Sequence, residues 1–227
     1  TMTFTNGATL QSISGNASLA RPISLGSGGG VFDAGGAITL TGSITGGGGL
    51  VKNGGNDLVI SSPGTNTIGN VTINAGRLFA NAPANINGSA VTVNSGGYLV
   101  YFTATAATGT FTPNNTITVN SGGGISTRSG TLTISSTAVT LPSAGSVIFN
   151  YDDSATQPIV FNGTYPTLSG SLAIQVGAVN TNAATIGTVT INAPISGTFP
   201  LSKEYLGTLV LAGSNSFTGG LAVNGGV

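Results

Sequence analysis

The sequence predicts an all-β fold, a single-stranded parallel β-solenoid with little or no α-helix. Three observations carry that expectation. Short alternating apolar segments are separated by Gly, Asn, Ser and Pro throughout the 227 residues. The phrase apolar-x-apolar-Asn recurs along the chain. A longer segment is nearly restated 151 residues after its first appearance.

The segments fix the class. Apolar residues alternating with Thr, Ser or Asn mark strands half-buried on one side. Candidates are 31–35, 37–44, 57–61, 70–74, 90–94, 98–102, 116–120, 131–135, 146–151, 158–162, 171–176, 188–192, 208–213 and 221–224. Turn residues bound each one, and no segment shows a helical 3.6-residue period. Short strands with short gaps are compatible with a sandwich, a barrel or a solenoid.

Recurrence selects among these. Val71-Thr72-Ile73-Asn74, Val91-Thr92-Val93-Asn94, Ile117-Thr118-Val119-Asn120, Val189-Thr190-Ile191-Asn192 and Leu221-Ala222-Val223-Asn224 share one phrase. Hairpin turns also use Asn-Gly and Asn-Ser-Gly, but hairpins do not require one phrase to return. Stacked coils do. Asn74, Asn94, Asn120, Asn192 and Asn224 are then structural turn residues, able to bond to one another along the stack. The steps from Asn74 to Asn94 and on to Asn120 suggest coils of roughly 20–25 residues, hence roughly ten coils and a rod of about 50 Å at the strand spacing. Val71, Ile73, Val91, Val93, Ile117 and Val119 are expected to point inward. One continuous solenoid over 1–227 is the expected organisation.

Composition agrees and narrows the function. Only five Lys+Arg and five Asp+Glu are present, about 4% of the chain, against about 25% in ordinary domains. Identical charges stacked at about 4.8 Å would repel, whereas Ser, Thr and Asn stack freely. Zero net charge and no basic cluster argue against nucleic acid, which requires phosphate neutralisation, and against anionic membranes. No apolar run reaches the length of a membrane helix. Direct membrane insertion by this segment is not expected.

The chain has no His and no Cys. That removes Ser-His-Asp and Cys-His catalysis, zinc motifs and disulfides. The carboxylates are Asp33, Asp57, Asp152, Asp153 and Glu204. Polysaccharide-cleaving enzymes need a carboxylate pair, and only Asp152 and Asp153 are neighbours. Neighbours in a strand face opposite ways. They read as a solvated turn, with a weak calcium site or a catalytic pair as alternatives. No cofactor, catalytic residue or metal ligand is predicted. Lys52 and Lys203 read as solvated, or paired with Asp57 or Glu204. Most of the aromatics Tyr98, Tyr101, Phe102, Phe149, Tyr151, Phe161 and Tyr165 read as core. Tyr98, Tyr101 and Tyr151, if exposed, are candidate contacts for a sugar or a partner protein.

The restated segment carries a family resemblance. Ile44, Leu50, Lys52, Leu58 and Ile60 return as Ile195, Leu201, Lys203, Leu209 and Leu211. The repeat-like segments are 38–79 and 189–227, with a divergent middle at 80–188. The first continues through Asn66, Val71, Ile73, Gly76 and Leu78; the second through Asn215, Phe217, Gly219 and Gly220. This resembles the autotransporter passenger-associated repeat of Gram-negative bacteria. The first copy departs at Asn66-Thr67-Ile68-Gly69-Asn70, which lacks the usual aromatic and Gly pair. The second departs at Glu204-Tyr205, where Gly is usual. The resemblance implies a right-handed parallel β-helix located extracellularly or on the bacterial cell surface. It implies a passenger segment with a structural or adhesive role: a stalk, an adhesin, or a self-associating unit of a fibre. Expected partners are further copies, or a glycan or protein of a host or neighbouring cell. A polysaccharide-acting β-helix enzyme is the alternative. The second copy stops short of the pattern's final Leu, so a piece of a longer chain is expected.

Overall fold

A computed structural model describes residues 1–81, 83–86, 88–101, 110–111, 116–134, 139–151, 157–177 and 187–226. The chain divides into two compact units. One comprises 1–104 with 114–117, the other 105–113 with 118–227. Among the described residues the strands pair in parallel, and there is no α-helix, only a 3-10 turn at Pro83–Ile86.

The first unit is built from coils with three faces; the first three coils lay a strand on every face, and the next two on only two of them. Met2–Phe4, Ile23–Leu25 and Ile44–Thr45 form one face. Ala8–Ser12, Gly30–Ala34, Leu50–Asn53, Asn70–Ile73 and Ala90–Val93 form the second. Ala17–Leu19, Ile38–Leu40, Leu58–Ile60, Gly76–Ala80 and Gly97–Tyr101 form the third. Partners in register lie 20 to 22 residues apart, for example Leu50 with Val71 and Ala8 with Gly30. The fold class expected from the sequence, an all-β parallel solenoid, is therefore the observed one.

Like stacks on like inside. Ile38, Leu58, Leu78 and Leu99 form one column, and Leu40, Ile60, Ala80 and Tyr101 the next. All eight are essentially fully buried. Each large aliphatic removed from water contributes about 1.5–3 kcal/mol, so a column is a substantial part of the fold's stability. Val71, Ile73, Val91, Val93, Ile117 and Val119 are buried as the alternation required. Phe4 and Phe32 meet at 5.0 Å between ring centroids. Gly30 makes room for that contact, since a Cβ there would stand 2.6 Å from the Phe4 ring.

The candidate strand 37–44 is two strands, Ile38–Leu40 and Ile44–Thr45. Gly42 turns the chain between them, so close to the previous coil that a Cβ would reach the Arg21 carbonyl. Alternation continues through this corner, which is why the sequence pattern reads as one strand. Leu50–Asn53, Gly76–Ala80 and Leu201–Glu204 are strands that the pattern alone does not single out.

The second unit uses the same principle with uneven steps. Gly124–Thr127, Gly145–Phe149, Leu172–Val176, Leu201–Glu204 and Leu221–Val223 share one sheet. Thr110–Phe111, Thr131–Ile134, Ile159–Phe161, Thr188–Ile191 and Thr208–Leu211 share another. Ser196–Gly197 pairs with Ser216–Phe217. Leu132 pairs with Ile159 and Ile159 with Val189, steps of 27 and 30 residues, whereas Val189 pairs with Leu209 after only 20. The longer steps exceed the 20–25 residues expected per coil. The strands do not lengthen, so the surplus lies in the connections, where register is not at stake.

Candidate functional site

The repeated Lys occupies an inward position in both copies. Lys52 stands in register between Phe32 and Ile73, and Lys203 between Ile174 and Val223. Lys52 is fully buried and Lys203 is 2% exposed. Both are therefore core residues, and the expectation of solvated lysines is corrected. Nor does Asp57 pair with Lys52: it receives Arg77 Nε at 2.7 Å and Nη2 at 3.0 Å.

Backbone carbonyls hold each ammonium. Lys52 Nζ donates to Asn53 O at 2.8 Å, Gly54 O at 2.7 Å and Ala75 O at 2.8 Å. Lys203 Nζ donates to Glu204 O at 3.1 Å, Tyr205 O at 2.6 Å and Gly225 O at 2.6 Å. All three ammonium protons are thereby used. Two carbonyls come from the turn that follows the Lys, and the third from the next coil. A left-handed residue makes the turn: Gly54 at φ 79° and Tyr205 at φ 67°. Gly54 has no alternative, since its Cβ would lie 2.5 Å from the Ala34 carbonyl oxygen. A tyrosine in this conformation costs about 1–2 kcal/mol. Burial pushes the Lys52 ammonium down to about 8, while Asp57 and Asp33 pull it up. Burial lowers Lys203 as well.

A second shared device caps a corner. Asn66 Oδ1 accepts the Ile44 N–H at 2.9 Å, and Asn215 Oδ1 accepts the Ile195 N–H at 2.9 Å. Asn66 is also bonded to Ser62 Oγ and to the Asn85 carbonyl, so its buried amide is satisfied.

The predicted turn asparagines take several roles. Asn94 Nδ2 donates to Asn74 Oδ1 at 2.7 Å, and Asn74 Nδ2 to Asn53 Oδ1 at 2.9 Å. Asn192 Nδ2 donates to Asn162 Oδ1 at 2.6 Å. Asn120 offers its carbonyl to the Gly123 N–H, and the Asn224 N–H donates to Lys203 O. Asn53 belongs to the first ladder although the recurring phrase misses it. Lys52 fills the apolar slot before it, and that substitution hides the match. Gln11 Nε2 donates to Asp33 Oδ2 at 2.9 Å in the same column.

The contact aromatics separate. Tyr151 is 37% exposed, Tyr98 is half-buried, and Tyr101 is 1% exposed. Tyr101 is thus corrected from candidate contact to core. By alternation it shares the face of Leu99, and burial raises its phenol far above the ordinary value. Phe149, Phe161 and Tyr165 are buried too. Phe102, Asp152 and Asp153 lie outside the described residues. Among the described residues no three metal-binding side chains converge, and no helix is long and apolar enough to cross a membrane.

Parallel coils whose corners are closed by an inward lysine and a capping asparagine define a repeat-built β-solenoid. Residues 50–78 and 201–227 match the family described as the passenger-associated-transport-repeat. Each match begins at the leucine two residues before the carbonyl-bound lysine. Two segments of the chain are thus similar to the passenger repeat. No curated protein and no solved structure matches the chain.

Proposed function

We propose that the chain is a non-catalytic structural and adhesive segment of an exported bacterial surface protein, working outside the cell. The observation that carries this reading is the pair of passenger repeats, each closed by the same lysine and asparagine bonds. Their bonding is devoted to holding coils together, and the side chains left outside are mostly Ser, Thr, Asn and Gln. Such faces do not repel one another, which favours contact with further copies or with neutral partners on a neighbouring cell. The described carboxylates support a non-catalytic role. Asp33 faces Gln11, Asp57 faces Arg77, and Glu204 accepts from Gln175. Hydrolysis of a glycosidic bond calls for two cooperating carboxyl groups.

Antibodies raised against the purified chain test the location. They are expected to label intact cells of the source bacterium, and label appearing only after permeabilisation would refute it. Release of reducing ends from any polysaccharide by the purified chain would refute the non-catalytic role. Binding of the purified chain to itself or to neighbouring cells tests the adhesive part.

A further inference from the structure

Five asparagines stand directly before a glycine: Asn6, Asn53, Asn87, Asn162 and Asn224. Asn87 lies outside the described residues. In such a pair the glycine nitrogen can attack the asparagine's own side-chain carbonyl carbon, because no Cβ on the glycine obstructs the approach. The N–Cγ bond forms, the side-chain nitrogen leaves as ammonia, and a cyclic imide results. Water then opens the ring at either carbonyl, giving aspartate or isoaspartate. The reaction requires only that the side chain and the following peptide are free to turn towards each other. The fold grants that freedom unequally.

Two of the pairs are held by their side chains. Asn53 Oδ1 accepts from Asn74 Nδ2 at 2.9 Å, and Asn162 Oδ1 accepts from Asn192 Nδ2 at 2.6 Å. Each bond turns the amide towards the next coil. At Asn53 the attacking peptide is fixed as well. Its carbonyl, Asn53 O, and the next one, Gly54 O, both accept from Lys52 Nζ, at 2.8 and 2.7 Å. Asn224 is intermediate. Its side chain is exposed, but its N–H donates to Lys203 O at 2.8 Å, and Gly225 O accepts from Lys203 Nζ at 2.6 Å.

Asn6 has none of these restraints. It is exposed, and with Gly7 it forms a turn closed by the Ala8 N–H on Thr5 O at 3.1 Å. Both turn residues are left-handed, at φ 55° and 71°. The coil that follows sets Gly28 against Asn6, so close that a Cβ there would stand 2.6 Å from Asn6 Cα. Glycine offers no side chain to hold an amide, so no ladder bond reaches Asn6 from that coil. Among the described residues no hydrogen bond holds the Asn6 side chain or the Gly7 N–H.

We propose that Asn6 is a site of spontaneous deamidation on the folded chain, and that the amide ladders protect Asn162 and, together with Lys52, Asn53. The lysine then does more than close its coil: it holds still a peptide that is otherwise prone to cyclise. Each event replaces a neutral amide by a carboxylate on a chain of zero net charge, so charge alone reports it.

The purified folded chain is kept warm at mildly alkaline pH in heavy-oxygen water. Isoelectric focusing follows the added charge, and peptide mass mapping locates the heavy oxygen. Asn6 is expected to convert first. Asn53 and Asn162 are expected to be slower by about tenfold or more, since cyclisation there must wait for local opening. In urea the three are expected to convert at similar rates, because each is followed by the same residue. Asn192→Ala removes one ladder bond and is expected to speed Asn162 by about two- to tenfold, the change in population that one hydrogen bond controls, with Asn6 unaltered. Equal rates at Asn6, Asn53 and Asn162 in the folded chain, or an unaltered Asn162 in Asn192→Ala, overturn the proposal. So does an Asn6 that stays intact in the fold while the same residue converts in urea.

Discussion

Lys52 shows how a charge can be a core residue. Its stem fills an apolar column and its ammonium reaches three carbonyls, each of which would otherwise lose its partner. Lys52→Met keeps the stem and removes the donors. Relief from burying a charge offsets part of the loss, because buried ions are costly even when paired. Unsatisfied carbonyls cost about 1–3 kcal/mol each, so a net loss of about 2 kcal/mol is expected in urea unfolding at neutral pH. Unchanged stability would show that water replaces the ammonium without cost. The role was not legible locally. An isolated Lys between apolar residues has the same pattern as a solvated charge, and one of its acceptors lies 23 residues further along the chain. The sequence leaves Tyr101 open between core and contact, and its register beside Ala80 in a buried column decides it.

At the scale of the strand and its corner, the Asn53–Asn74–Asn94 ladder joins three coils through side chains that stand at the surface. Each bond runs between like amides at the strand spacing, an arrangement available only to parallel strands in register. Asn74→Ala and Asn94→Ala are each expected to cost about 0.5–1 kcal/mol. In the double variant the losses are expected to fall short of additive by about 0.5 kcal/mol, because the two amides share a bond. Strictly additive losses would mean that the amides act independently. Much of this level was readable: the recurring phrase located the corners, and alternation placed Val71, Ile73, Val91 and Val93 inside. Strands such as Leu50–Asn53 and Leu201–Glu204 were hidden because a Lys replaces an apolar residue. Steps of 27 and 30 residues were hidden because connections carry no periodicity. Gln175 and Glu204 become neighbours only through register.

For the whole molecule, scarce charge leaves the pH dependence of stability to a few buried titratable groups. Lys52 has its folded-state value at about 8, below its ordinary 10.5. Between those values the unfolded chain keeps a proton that the folded chain has released. Stability therefore rises with pH over that interval, by at most about 1.4 kcal/mol per pH unit for one group. Lys203 acts in the same direction. Above pH 10 Tyr101 and Tyr165 act oppositely: burial keeps them protonated in the fold while their unfolded counterparts ionise. Urea unfolding is expected to show stability climbing from pH 8 to near 10 and then falling, with a shallower climb in Lys52→Met. A flat profile over pH 8–10 would mean that the carbonyls hold the ammonium proton as firmly as water does.

The third bond of each lysine has one more consequence. It ties the start of one coil to a carbonyl in the next, Ala75 in one copy and Gly225 in the other. The intervals, 23 and 22 residues, are nearly equal, although spacing elsewhere in the second unit varies by as much as ten. Each lysine is thus a gauge of contour length: its bond closes only when the following segment has the right number of residues. Insertions and deletions can accumulate between 132 and 189 without meeting such a gauge, whereas between Lys52 and Ala75 a miscount leaves an ammonium short of its acceptor.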